Sequence, residues 1–296
     1  INFQITMLAA YNTMNDVVVV GYSSQRKGAI TGAMATVNMD DLDKRRVPDV
    51  AQLLQGQVPG VQVTQSTGAP GDGINITIRG VGTIGSSSDP LFIVDGVPTT
   101  SISFINPADI QSLTVLKDAS AAAIYGARAS GGVVVIVTKG GKKGKSNLDI
   151  NYYNGIQRVS NLPKMLNATQ YMNKMEESWN NSGYSGTNPY TADKSRTDFA
   201  NTNWLKELFV LGRSQNLQVT ASGGSDKVQY LISGGYYKQN GIVIYNNDQY
   251  QRFSFRTNVN ANISDRFVVG TNLQISNSVQ DKISFSGDAP GVVRHA

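Results

Sequence analysis

Cysteine is absent from the 296-residue chain, so it has no disulfide framework, no thiolate nucleophile and no cysteine-ligated metal. Histidine occurs once, as His295 beside the last residue, which leaves almost nothing from which to build a histidine-based catalytic pair or metal site. Charge is sparse: 16% of residues are Asp, Glu, Lys or Arg, below the roughly 25% of an average soluble domain. The formal net charge of +5 is modest and dispersed. No apolar run approaches the ~18 residues of a membrane-crossing helix, but strands that cross a membrane need only about 10 alternating residues. What the chain does have is glycine, 30 residues of it, together with abundant Asn and Ser, a composition that favours turns and strands.

Ile1, Phe3, Ile5 and Met7 alternate with polar residues, a short strand pattern. Asp16-Val17-Val18-Val19-Val20-Gly21-Tyr22 follows, and its four β-branched residues favour extended backbone. A buried strand and an exposed donor strand that pairs with another protein's sheet edge both fit this run. Gly21 to Thr36 has the composition of a mobile tether. Asp40, Asp41 and Asp43 read as a solvated acidic cluster, with calcium a remote alternative.

From Val47 to Gly140 the pattern is that of a small α+β unit. Val47-Pro48-Asp49 starts a helix whose face carries Val50, Leu53, Leu54 and Val58, and Pro59-Gly60 stops it. Strands are expected at 61–64, 74–78, 91–94 and 113–117, and a two-face-buried one at Val133–Val137. Asn106-Pro107 is a helix start, and Asp118 is expected to cap an alanine-rich helix from Ala119 to Tyr125 that Gly126 ends. Gly80-Val81-Gly82-Thr83-Ile84-Gly85 is a literal G-x-G-x-x-G. A dinucleotide site needs a helix to open there, and Ser86-Ser87-Ser88-Asp89-Pro90 cannot open a long one, so a Gly/Ser loop is the expectation. Lys117, Asp118 and Arg128 have no nucleophile or base beside them and read as a structural ion-pair set. Lys139 to Lys145 is basic and Gly-rich but has no interleaved aromatics, so a solvated linker is expected rather than a nucleic-acid patch.

After the linker the period becomes two. Leu148, Ile150 and Tyr152; Leu217, Val219 and Ala221; Val228, Tyr230 and Ile232; Phe253 to Ile263; and Val269 to Ile275 are the apolar positions of five expected strands. The other positions are mostly Asn, Gln and Ser. A soluble β-sandwich and a membrane barrel both alternate in this way. Tyr152, Tyr153, Tyr230, Tyr236, Tyr237, Tyr245, Tyr250 and Phe253 lie on or near strands and suit an interfacial girdle. A helix is expected at Asn167–Trp179, within a long excursion from Leu162 to Leu211.

The order of these blocks resembles the SusC/RagA-like family of TonB-dependent outer-membrane transporters. The signature positions are Gly68, Pro70 and Gly71; Arg79 and Gly80; Asp95, Gly96 and Pro98; Lys117 and Asp118; Tyr125, Gly126 and Arg128; and Gly131, Gly132 and Thr138. The resemblance implies an α+β plug domain followed by antiparallel β-strands of an incomplete transmembrane β-barrel. It implies the following division: 1–15, the end of a preceding β-sandwich extension or leader strand; 16–46, a TonB-box arm and tether; 47–140, the plug; 141–296, the first barrel strands. It makes Asp16 to Tyr22 the TonB-binding segment, and Gly82, Thr83, Ser86, Ser87 and Asp89 a substrate-facing plug loop. Its implied partners are TonB with ExbB and ExbD, a SusD-like surface lipoprotein, an oligosaccharide or peptide substrate and outer-membrane lipid, with no nucleic acid. The implied place is the bacterial outer membrane with the plug facing the periplasm, and no cofactor, metal or catalytic residue is required. A soluble carbohydrate-binding module is the alternative. Five strands fall short of the ~8 of the smallest closed barrels, so the chain is expected to be a fragment or truncated product.

Overall fold

The computed structural model describes residues 17–20, 23–26, 34–39, 47–65, 67–82, 88–118, 122–193, 200–244, 248–264 and 266–282. The first strands are β1 (Val17–Val20), β2 (Ser23–Arg26) and β3 (Met34–Asn38), followed by helix α1 (Val50–Leu54). Then come β4 (Val61–Gln65), β5 (Ile74–Ile78), β6 (Leu91–Val94), β7 (Val97–Thr99), β8 (Ile110–Leu116) and β9 (Val133–Thr138). Ile1 to Met7 and Asp40, Asp41 and Asp43 lie outside the described residues.

Strands β3-β8-β9-β6-β7 form one mixed sheet in that order, with β6 and β9 parallel and the other neighbours antiparallel. The unbroken apolar run Val133–Val137 explains why β9 is central. Val134 and Ile136 enter the core under α1 and the β4–β5 hairpin, while Val133 and Val135 enter a second cluster with Ile93, Leu116 and Ala129. A strand buried on both faces needs apolar residues at every position. Helix α1 is capped by Asp49, whose side chain accepts from the Ala51 amide at 2.7 Å, and it buries Val50, Leu53 and Leu54.

Two local expectations are corrected. Of the alanine-rich segment, Ala119 to Ala121 lie outside the described residues, Ala122 is α-helical, and Ala123–Ala129 is a 3-10 stretch that resumes beyond the kink at Gly126 (φ 70°) instead of ending there. The Asp118 carbonyl accepts from the Ala122 amide at 3.0 Å, one helical turn on, and the Asp118 carboxylate pairs with Arg79 beside the β4–β5 hairpin. The expected tether also contains regular structure: β1 pairs antiparallel with β2, Val17 opposite Arg26 and Val20 opposite Ser23.

The remaining strands are β10 (Gly144–Gln157), β11 (Gly212–Gly224), β12 (Val228–Asn240), β13 (Gln249–Ser264) and β14 (Phe267–Asp281), a sequential antiparallel sheet. Helices α2 (Ala168–Asn181), α3 (Pro189–Asp193) and α4 (Trp204–Leu208) lie in the excursion between β10 and β11. Asn167 and Gln170 close a capping box on α2. Registry places the apolar positions of neighbouring strands side by side: Ile150 beside Val219, Leu217 beside Tyr236, Tyr236 beside Phe253, and Phe255 beside Ile275. This face is left exposed, with Leu148, Ile150, Phe253 and Ile275 all more than half accessible. The opposite face carries the amides, hydroxyls and two arginines and packs against the first sheet. The girdle expectation is therefore corrected in part. Tyr152, Tyr236 and Phe253 lie on the exposed face, whereas Tyr237 and Tyr250 are buried on the other, and Tyr245 lies outside the described residues.

Leu113→Ala removes a fully buried side chain from the larger core. It is expected to cost the plug-like sheet about 2–5 kcal/mol, read as a lowered urea midpoint for its unfolding, with little change in the long antiparallel sheet.

Candidate functional site: the interface between the small sheet and the curved wall

Alternation along β13 turns Arg252 and Arg256 to the face opposite Phe253 and Phe255, and both guanidinium groups are buried, at 3% and 1% exposure. Arg256 is met by backbone and side-chain acceptors and Arg252 by two backbone carbonyls, because a buried cation without acceptors would be strongly disfavoured.

Arg256 sits at the centre. Its Nη1 donates to the Asp109 carbonyl at 3.3 Å and its Nη2 to Thr138 Oγ1. Nε and Nη2 also donate to Asn272 Oδ1 at 3.4 and 3.3 Å. Asp95 supplies the counter-charge, with Oδ2 at 3.6 Å from Nη2. The position of Asp95 follows from its turn. Asp95 and Gly96 both adopt positive φ, 48° and 86°, which suits the two-residue hairpin between β6 and β7. That turn aims the carboxylate at Thr138, whose amide donates to Oδ1 at 2.9 Å and whose hydroxyl donates to Oδ2. Asn272 on β14 donates to the same Oδ2 at 2.7 Å.

A second patch surrounds Asp109. Its Oδ1 accepts from Ser233 Oγ at 2.8 Å and Gln218 Nε2 at 3.1 Å, both on the wall. Asn106 caps the 3-10 turn Pro107–Asp109 and donates to Gln218 Oε1 at 2.5 Å. Gly235 makes this approach possible, because a Cβ there would stand 2.5 Å from Asn106 Nδ2 and 2.6 Å from Gln218 Oε1. Burial pushes the Asp109 carboxyl above its ordinary value, against the hydrogen bond from Ser233 and the nearby charges of Arg256, Lys139 and Arg252.

The third patch lies toward the other end of the strands. Arg252 donates to the carbonyls of Ser103 at 2.9 Å and Pro48 at 3.1 Å. Gln280 Nε2 donates to the Pro70 carbonyl at 2.6 Å and to Asp72 at 3.2 Å, and Lys282 pairs with Asp72 at 2.7 Å. The hydrogen bond from Lys282 leads the effects that hold the Asp72 carboxyl below the usual range. Gly71, at φ 75°, lies under the Tyr250 ring, which a Cβ would meet at 2.3 Å.

The signature positions read from the sequence divide into three groups. Pro70, Gly71, Asp95 and Thr138 sit at this interface. Arg79, Lys117, Asp118, Gly131 and Gly132 bind the small sheet to itself. Lys117 Nζ donates to the Pro59 carbonyl at 3.2 Å, and Cβ atoms at Gly131 and Gly132 would meet the Asp89 carbonyl and the Ile78 side chain at 2.6 and 2.8 Å. Gly68, Gly80, Gly96, Pro98, Tyr125 and Gly126 lie in turns, strand edges and the 3-10 stretch, and Arg128 is exposed rather than part of an ion-pair set with Asp118. Gly82 and Asp89 are exposed, and Thr83, Ser86 and Ser87 lie outside the described residues. Of the G-x-G-x-x-G stretch only Gly80 to Gly82 are described, and the next described element is strand β6 from Leu91. Val17 to Val20 form β1, while Asp16, Gly21 and Tyr22 lie outside the described residues.

Residues 26–133 match the TonB-dependent Receptor Plug Domain family. The chain is 35% identical over 291 residues to TonB-dependent receptor P3 of Formosa agariphila, covering 98% of this chain and 27% of that protein. It is 34% identical over 282 residues to TonB-dependent receptor SusC of Bacteroides thetaiotaomicron, covering 88% and 26%. The structure superposes on that of the RagAB peptide importer in its open-open state with a TM-score of 0.78 at 30% identity, covering 93% of this chain and 33% of that one. This chain belongs to the SusC/RagA-like TonB-dependent receptors. The small sheet with its hairpin is the plug, and the five long strands are barrel wall. The relatives are outer-membrane receptors and transporters, and the chain spans about a quarter to a third of their length. The soluble sandwich reading gives way: the plug packs on the polar face of the central strands β11 to β13, and the opposite face of the wall is apolar and exposed.

Sequence reasoning did not single out Arg252, Arg256 or Asp109. The available signal was two cations four residues apart, hence on one strand face, in a half whose polar face otherwise holds amides and hydroxyls.

The direction for Asp109 sets a pH dependence. A carboxyl raised in the docked state binds its proton more readily there than when released, so docking strengthens as pH falls from neutral through the raised value toward the ordinary one near ~4. Asp109→Asn is expected to flatten this trend, read as the urea midpoint for plug release measured across that range. A slope identical to that of the parent protein would exclude Asp109 as its source.

Proposed function

We propose that these residues are the plug and adjoining wall of an importer of glycans or peptides, energised through TonB. The observation that carries this reading is a plug held to the wall by discrete hydrogen-bonded patches rather than by continuous apolar packing. Polar patches can be exchanged for water at moderate cost, about 0.5–1.5 kcal/mol for an ordinary hydrogen bond, so a pulled plug can part from such a wall. Asp16 to Tyr22 serve as the segment that TonB adds as a strand to its own sheet, with ExbB and ExbD supplying the drive from the inner-membrane proton gradient. A SusD-like lipoprotein presents substrate from outside.

A polar cavity of about 230 Å³, lined by Asp49, Gln65, Gln157, Gln239 and Tyr250, lies between plug and wall. Its amides and carboxylates suit the hydroxyl or peptide groups of such substrates. The signature glycines and turns shape the plug, and Gly82, Thr83, Ser86, Ser87 and Asp89 are assigned to substrate contact. No step of this mechanism makes or breaks a covalent bond, so the protein is not an enzyme and uses no cofactor.

Deleting Asp16 to Tyr22 from the intact receptor is expected to abolish uptake while leaving substrate binding at the cell surface intact. Undiminished uptake by the deletion would refute the assignment.

A further inference from the structure

The lipid-facing side of the wall contains an open apolar groove of about 460 Å³. Its floor is Gly234, and its walls are Leu217, Val219, Tyr236, Phe253, Phe255 and Ile275. The glycine is not required by its surroundings. A Cβ there would meet nothing within 4 Å, and its φ lies outside the positive range. Glycine weakens a strand interior and often marks a close approach by another group. The neighbouring rings do not fill the space. Phe255 stands directly across the ladder from Gly234, yet no atom of it comes within 4 Å of where a Cβ on the glycine would stand, while Tyr236 and Phe253 pack on one another with centroids 4.8 Å apart.

The depth of the groove follows from the connections. Strands β11 and β12 are joined by Ser225–Lys227 and β13 and β14 by 265–266, whereas β10–β11 and β12–β13 are joined by the long 158–211 excursion and by 241–248. Outer-membrane barrels have short periplasmic turns and long outer loops. Tyr236 and Phe253 form the groove's row nearest the long connections, and the next row along the same face holds Gln215, Lys238 and Gln251 beside Val279. The groove therefore opens in the outer leaflet, just below the polar boundary. Lys238 stands at that boundary above Tyr236, and Arg213 lies on the same face of β11 farther outward. Neither has an ion-pair partner among the described residues.

We propose that this groove is a binding site for one phosphorylated outer-leaflet lipid, with an acyl chain along Gly234 and its phosphate at Lys238 and Arg213. The proposal rests on the outer-membrane location and is independent of what the receptor imports. A linear chain fits a groove one side chain wide, and each buried methylene adds to retention. Two cations at the polar boundary select an anionic head.

The test is native mass spectrometry of the intact receptor extracted from outer membranes in mild detergent. The parent protein is expected to retain a phosphorylated lipid, Gly234→Leu to retain about tenfold less through the blocked groove, and the double change Arg213→Gln with Lys238→Gln to lose the phosphorylated species as well. Heat-modifiable electrophoretic mobility reports whether each variant has folded. Equal retention by the parent and Gly234→Leu would overturn the proposal. So would photocrosslinking from the groove to a second receptor copy or to the anchor of a partner lipoprotein. If Gly234→Leu does not fold, unchanged retention by the charge variant is decisive against it.

Discussion

A buried guanidinium must be surrounded by acceptors, and that requirement at Arg256 ties the two parts of this structure together. The arginine leaves the wall at the middle of β13, and the plug supplies the Asp109 carbonyl, Thr138 and Asp95. Removing either side of such an arrangement leaves the other buried and unpaired, which costs about 3–5 kcal/mol, although the net worth of the intact pair is smaller. The arrangement therefore fixes where the plug sits more than how stable the chain is. The β6–β7 turn, the 3-10 turn at Pro107–Asp109 and the end of β9 are brought together under one wall residue.

The same logic runs through the rest of the contact surface. The wall's inner face is amides, hydroxyls and two arginines, and the plug answers mostly with carbonyls, Asp and Asn. Apolar burial is concentrated inside the plug sheet, with Leu231, Tyr237 and Tyr250 the buried apolar side chains of the wall's inner face, and on the other side of the wall it is left to the membrane. A plug held by an apolar core shared with the wall could not leave without exposing that core. A plug held by polar patches exchanges them for water.

Much of the plug was legible in the sequence because its signals are local. The valine run of β9 has to be buried on both faces, Asp49 and Asn106 cap where capping residues are expected, and Asp95-Gly96 makes the turn its dipeptide favours. The period of two revealed five wall strands and which of their residues share a face. The alanine-rich segment was legible as helical and Gly126 as its interruption, but not the tightening to 3-10 from Ala123, because propensity does not set the hydrogen-bond pattern of a short turn. Tyr237 and Tyr250 misled because an aromatic near a strand end suits either face, and only strand parity and the partner across the interface decide between them. Arg256 and Asp109 were missed for a different reason. They lie 147 residues apart in sequence, and nothing local marks a cation as buried until the surface that covers it is known.

The account's central claim is the coupling between wall and plug at Arg256, and a double-mutant cycle measures it directly. Arg256→Met, Asp95→Asn and the double variant would be compared in the intact receptor by the urea midpoint for plug release. The account predicts that the two changes are non-additive by about 1–3 kcal/mol, because each removes the same contact. Additivity within about 0.5 kcal/mol would mean that the two residues act independently and that the plug is held elsewhere.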